Sequence, residues 1–97
     1  MLVEWIMMRL YWRQSHRRET LILDLGDGNG EEIVGGVRET NSGFDAFART
    51  FGYDPGRAQK AIPTLEEGKG FVESFTPWDQ FPGTDDLTIE AEVQPAD

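Results

Sequence analysis

The strongest helix signal in the chain is Pro63-Thr64-Leu65-Glu66-Glu67-Gly68-Lys69-Gly70-Phe71-Val72-Glu73-Ser74-Phe75. Thr64 can cap the free amides of a first helical turn, and Glu67 can reach back to the Thr64 amide. Apolar positions recur at helical spacing, with Phe71 and Phe75 as expected core anchors and Gly68 allowing a close approach to a neighbouring sheet. Thr76-Pro77 ends the predicted helix. Its charged residues are expected to point mostly outward: Glu66, Glu67, Lys69 and Glu73.

The residues before this helix alternate between apolar and polar with a period of two, which is typical of half-buried strands. The alternation predicts strands at about residues 8–14, 20–25, 32–38 and 44–49. The turn residues Pro55 and Gly56 predict a short return strand at 57–62, paired with the fourth strand. Turns rich in Gly, Asn and Pro separate them, at residues 26–30, 40–43 and 53–56. The adjacent glycines Gly35 and Gly36 indicate a bulge or a close backbone approach in the third strand.

These elements predict one α+β domain over residues 8–76, a curved antiparallel sheet of four to six short strands with one helix packed on one face. Residues 1–7 lack capping signals and clear periodicity, so we expect them to be a dispensable extension. Residues 77–97 are expected to form an acidic tail with an amphipathic edge strand at 87–93. We expect that strand to dock on the chain's own sheet, with Glu90 and Glu92 near Arg9, Arg13 or Arg17, although pairing with a partner is the alternative.

Composition narrows the classes of function. The 97 residues are 38% apolar, which suits one modest core, and the lack of cysteine excludes disulfides and Cys-ligated zinc. The chain is therefore expected in a reducing cytoplasm. The apolar opening run carries Glu4 and is interrupted by Arg9, so we expect no membrane span. A net charge of −9 disfavours nucleic-acid partners.

Catalytic, metal and cofactor motifs are weak in this sequence. Asp27-Gly28-Asn29-Gly30 resembles the centre of a calcium loop, but the required first and twelfth positions would be Leu25 and Gly36. Gly26 and Gly28 are not followed by the third spaced glycine that a phosphate-binding loop requires. The only histidine of the sequence, His16, lies in a predicted cationic loop, which does not favour a catalytic triad. Carboxylates such as Glu66 and Glu73 fit a solvated helix face as well as an acid–base pair. We therefore expect a non-enzymatic protein without metal or cofactor.

Arginines interleave with aromatic residues along the first strand and the turn after it: Arg9, Tyr11, Trp12, Arg13, Arg17 and Arg18. Arginines bind phosphates and aromatic rings stack on bases, so this pattern is one candidate nucleic-acid surface. The competing interpretation, which we favour, is that the arginines pair with carboxylates of residues 79–92 within the same molecule.

Two runs resemble a small β-sheet-plus-helix module of uncharacterised bacterial and bacteriophage proteins. They are Gly43-Phe44-Asp45-Ala46-Phe47 and the segment 62–73, together about a third of the chain. Members of that group typically carry alanine where this chain has Gly68. The resemblance implies the architecture and a phage or mobile-element origin, and it carries over no catalytic residue.

The function expected from these features is that of an interaction protein that binds a protein partner. The candidate binding residues are the exposed arginines and aromatics: Tyr11, Arg13, Arg17, Arg18, Trp78 and Phe81. The alternative is a nucleic-acid-directed role, either as an acidic DNA mimic or as a small protein that binds nucleic acid through Arg9, Arg13, Arg17 and Arg18.

Overall fold

The computed structural model describes residues 8–26, 30–52 and 54–96. Residues 1–7, expected to be dispensable, lie outside this part, as do residues 27–29 of the segment for which the sequence predicts a turn. The described residues form an open, mostly antiparallel six-stranded sheet with one α-helix, which confirms the α+β class. The strands and helix are β1 Arg9–Ser15, β2 Arg18–Asp24, β3 Glu31–Thr40, β4 Gly43–Ala48, β5 Ala58–Ile62, α1 Leu65–Ser74 and β6 Gln94–Pro95.

The sheet has the strand order β5-β4-β3-β2-β1-β6. Strands β1 to β5 follow one another as antiparallel neighbours, as the alternation and the turn residues predict. Strand β6 pairs with the outer side of β1 and runs parallel to it, so the sheet is not wholly antiparallel. One face carries α1 and the core; we call the opposite one the open face.

Strand alternation places the main core on the helix-bearing face. Leu10, Leu21 and Leu23 are fully buried there, as the sequence predicts. Burial of a large aliphatic side chain contributes about 1.5–3 kcal/mol, so these residues supply much of the driving force for folding. Helix α1 lies over β3 and β4 and closes the core with Val72, which is also fully buried.

Glycines allow the helix to approach the sheet closely. A Cβ atom at Gly35 of β3 would overlap the Val72 side chain, and a Cβ at Gly68 of α1 would lie 2.9 Å from a methyl of Val37. The ladder between β2 and β3 is also irregular at Leu21, where the pairing shifts by one residue. Both predictions for the adjacent glycines, a bulge and a close backbone approach, are confirmed.

The bulge reverses one predicted orientation. Simple alternation puts Ile33 on the same side of β3 as Val37, but the shift in register separates them. Val37 is buried in the core, whereas Ile33 is 50% exposed and lines a groove on the open face. An extra residue in one strand moves every later side chain to the other face, which explains the difference.

Thr64 caps α1 as predicted. Its hydroxyl accepts a hydrogen bond from the Glu67 amide at 3.1 Å, and the same hydroxyl donates to the Glu67 carboxylate at 3.0 Å. The Glu67 carboxylate thus contacts the Thr64 hydroxyl in place of the predicted Thr64 amide. Phe71 and Phe75 are only partly buried and pack edge to face, with ring centroids 5.1 Å apart. The fully buried anchor of the helix is therefore Val72.

Replacing Thr64 with alanine is expected to lower the free energy of unfolding by about 1 kcal/mol, because the first turn loses its cap. Ser74→Ala is the control: Ser74 is exposed at the other end of α1, and its loss is expected to stay within about 0.5 kcal/mol. Urea unfolding followed by circular dichroism measures both. Equal losses at the two positions contradict a stabilising cap.

Two charged residues of α1 point toward the sheet, contrary to the prediction that they face outward. The Lys69 ammonium lies 2.8 Å from the Glu19 carboxylate, and Glu19 is only 6% exposed. The Glu73 carboxylate accepts a hydrogen bond of 2.9 Å from the Trp12 indole. Both bonds join the helix to the β1–β2 hairpin, so these charges orient the helix on the sheet.

The segment after the helix packs on the sheet. Pro77 and Thr84 are fully buried, and the Glu90 amide donates to the Leu10 carbonyl at 2.8 Å. The Arg9 guanidinium binds the Glu90 carboxylate at 2.8 Å, in line with the expected docking. The predicted edge strand at 87–93 is wrong, because the ladder forms at Gln94–Pro95. Turns and bends break the extended conformation before that point.

Candidate interaction site

The first pair of predicted binding residues lies in a closed network. Tyr11 is 4% exposed, and its hydroxyl donates to the Glu31 carboxylate at 2.8 Å. Arg13 binds the same carboxylate through two guanidinium nitrogens and also donates to the Tyr11 hydroxyl. The Arg13 hydrogen bonds lower the pKa of Glu31, and burial together with the Glu31 bond raises the pKa of Tyr11. Tyr11 and Arg13 therefore bind each other and Glu31 within the molecule.

The other arginines of the first hairpin are mostly paired too. Arg9 binds Glu90, and its guanidinium also stacks 4.7 Å from the centre of the Tyr11 ring. Arg17 lies 4.0 Å from the Glu39 carboxylate. A nucleic acid would have to compete with these carboxylates for Arg9, Arg13 and Arg17.

The two predicted aromatic residues after the helix are part of the molecule's own packing. Trp78 and Phe81 are partly buried against the core, and Phe81 contacts Phe51 edge to face at 5.4 Å. The buried Thr84 hydroxyl donates to the carbonyl oxygens of both Trp78 and Phe81. The structure thus does not bring Trp78 and Phe81 together with the predicted arginines.

A groove of about 360 Å³ lies instead on the open face, over β2 to β5. Register places Thr20, Gly36, Phe47 and Ala58 in one row across the four strands. The Phe47 ring lies over Gly36, since a Cβ there would come within 2.8 Å of it. Phe47 is 45% exposed and Ile33 50%, so two large apolar side chains face solvent in one groove.

A charged row borders this apolar row. Arg18 of β2 pairs in register with Arg38 of β3, which faces Asp45 of β4. Lys60 of β5 lies where the β4–β5 ladder becomes irregular, next to Asp45. All four residues line the groove. Arg38 and Asp45 form an ion pair at 3.5 Å, which leaves Arg18 and Lys60 at the two ends of the row.

Arg18 and Lys60 differ from the other cations of the chain. Seven of the nine Lys and Arg residues lie within 4.0 Å of a carboxylate oxygen. Among the described residues only Arg18 and Lys60 have no such partner, and both line the groove. The groove is therefore a cationic site on a protein whose net charge is −9.

The edge beside the groove is unsuited to strand pairing. Ala61 of β5 has a positive φ of 58°, and its amide donates to the Asp45 carboxylate at 3.1 Å. A bulge and a lysine are features that protect sheet edges from pairing with another chain. The face of the sheet is thus the more accessible surface in this region.

Of the six predicted binding residues, only Arg18 lines the groove. The sequence did not indicate Ile33 as a binding residue, because its exposure depends on the bulge. Lys60 was not indicated either, because no other charged residue of its strand marks the face on which it lies. Phe47 could have been identified from the sequence. It lies between Ala46 and Ala48, which are both buried on the other side of the strand, so the alternation places a large apolar residue on the open face.

No family model, curated protein or solved structure matches the chain. The resemblance to bacterial and bacteriophage modules therefore stays a prediction. No helix in the described residues is long and apolar enough to cross a membrane. Nor do residues 8–26, 30–52 and 54–96 hold a group of three acidic or histidine side chains placed to bind a metal ion.

Proposed function

We propose that this chain is a non-enzymatic interaction protein that binds a segment of a partner protein in the groove on its open face. The observation that supports the proposal is the exposure of Phe47 and Ile33 beside the cations Arg18 and Lys60. Exposed apolar residues with a polar rim are typical of interaction surfaces. The absence of cysteine supports a place of action in the cytoplasm.

The charges favour a partner segment that is both apolar and acidic. Such a segment covers Phe47 and Ile33. It also supplies carboxylates to Arg18 and Lys60, for which the described part of the chain provides no carboxylate partner. A second copy packed face to face fits less well, because it brings like-charged rims together. Electrostatic complementarity mainly sets specificity. Because the protein as a whole carries a net charge of −9, this attraction acts at short range, between the two cations and the partner's carboxylates.

Selection of peptides from a random twelve-residue display library tests this function. The wild-type protein is expected to enrich peptides with large apolar residues, and Phe47→Ala is expected to abolish the enrichment. The matched control is Phe51→Ala: Phe51 is 64% exposed and lies outside the groove, so its loss is expected to leave the selected peptides unchanged.

Two results contradict the proposal. One is the absence of any peptide enrichment that depends on Phe47. The other is a dimer in sedimentation experiments that dissociates in Phe47→Ala, since the groove is then occupied by a second copy. Circular dichroism spectra and unfolding midpoints of both variants show whether each keeps its fold.

A further inference from the structure

The geometry points to a two-carboxylate recognition motif, and this inference rests on the proposed function. We infer that Arg18 and Lys60 each bind one acidic side chain of an extended partner segment that lies across strands β2 to β5. Arg38 and Asp45 lie between them and neutralise each other at 3.5 Å. The row therefore offers one cation at each end and an ion pair in the middle.

The distance between the two cations follows from the sheet. Neighbouring strands lie about 4.8 Å apart, so the three intervals from β2 to β5 place the backbones of Arg18 and Lys60 about 14 Å apart. An extended chain rises about 3.3 Å per residue, so residues i and i+4 are about 13 Å apart. Side chains separated by four positions also point to the same side of an extended chain.

A helical segment fits this spacing less well. With a rise of about 1.5 Å per residue, two acids about 14 Å apart are separated by about nine positions, and side chains nine positions apart lie on opposite sides of a helix. The extended form also suits the apolar row. Its intervening side chains, at i+1 and i+3, point away from the charged row, toward Phe47 and Ile33.

The inferred motif is thus acidic, apolar, any residue, apolar, acidic. Its acidic positions bind Arg18 and Lys60, and its apolar positions cover Phe47 and Ile33. Binding through two separated ion pairs at an exposed site is sensitive to salt, because each exposed pair is screened. The apolar contact with Phe47 and Ile33 is much less sensitive to salt. Measurements at two salt concentrations therefore separate the contribution of the ion pairs from that of the apolar contact.

The test uses the same twelve-residue library with Arg18→Gln/Lys60→Gln. The matched control is Arg17→Gln/Arg57→Gln, which removes the same formal charge from arginines that do not line the groove. Peptides selected by the wild type and by the control are expected to carry two acids four positions apart. The Arg18→Gln/Lys60→Gln protein is expected to lose that preference and to keep the apolar one.

A fluorescent peptide containing Asp-Phe-Ser-Leu-Asp provides the quantitative arm, measured by anisotropy at 50 and 200 mM salt. We expect it to bind the wild type at least tenfold more tightly than the same peptide with Lys in place of both Asp, and the difference to shrink at the higher salt concentration. The Arg18→Gln/Lys60→Gln protein is expected to bind the two peptides with similar affinity.

Failure of the inference differs from failure of the function. Enrichment that depends on Phe47 but shows no acid pair at i and i+4 overturns the motif and leaves the function standing. Absence of any Phe47-dependent enrichment overturns the function. Labelled oligothymidine is the third probe: tight binding that is lost in Arg18→Gln/Lys60→Gln assigns the two cations to phosphates and overturns both.

Discussion

Replacing Lys69 with methionine is expected to lower the free energy of unfolding by about 3–5 kcal/mol, because it leaves the Glu19 carboxylate without its partner at a buried site. Glu19 is 6% exposed, and the Lys69 ammonium binds it at 2.8 Å. Methionine keeps much of the lysine stem that packs on the sheet. The decrease in the free energy of unfolding is therefore expected to come mainly from the unpaired Glu19 charge and less from lost packing.

The surroundings of Lys69 add to this effect. Its ammonium lies 5.0 Å from the centre of the Trp12 ring, and the Trp12 indole donates to Glu73 one helical turn further along α1. Loss of the ammonium thus removes an ion pair and a cation–π contact at once, each of which joins α1 to the β1–β2 hairpin.

A double-mutant cycle separates the unpaired charge from other effects. Lys69→Met, Glu19→Met and the double variant are measured by urea unfolding, because guanidinium salt screens ion pairs. The double variant is expected to recover most of the stability lost in Lys69→Met, since removal of both charges leaves nothing unpaired. Lys60→Met is the control: Lys60 is exposed and is expected to change stability by less than about 0.5 kcal/mol. A Lys69→Met protein as stable as this control contradicts the prediction.

The second large effect is expected from Gly35→Ala, which should destabilise the protein by about 3 kcal/mol, at the upper end of overpacking costs. The added methyl group would overlap the Val72 side chain and lie 3.0 Å from the Phe47 carbonyl oxygen. Val72 is fully buried under the helix and has little room to move. The helix must therefore shift away from the sheet to admit a single carbon atom.

Gly70→Ala is the matched control, because a Cβ at Gly70 meets no atom within 4 Å. This substitution is expected to stabilise the protein by about 1 kcal/mol through helix propensity. The same chemical change thus has opposite signs at a glycine packed against the helix and at a glycine on the exposed side of the helix. Thermal and urea unfolding measure both variants, and a neutral Gly35→Ala shows that the helix does not pack as closely as described.

Much of the local structure could be predicted from the sequence. Alternation of apolar and polar residues identified strands β1 to β4, and the Pro55-Gly56 turn identified β5. Thr64 identified the start of α1 because a helix needs a cap. The short turns between strands also predict antiparallel neighbours. These features depend on residues close together in the chain, so the sequence alone carries them.

The candidate site needed the tertiary structure. Ile33 reaches the open face only because of a bulge whose register is set by pairing with β2. Lys69 points to the sheet because Glu19 of β2 lies beneath it. Arg18 and Lys60 come from strands far apart in the sequence and share a groove only through the order of the sheet. Strand periodicity determines which residues share a face within one strand, whereas the pairing between distant strands determines which of those residues meet.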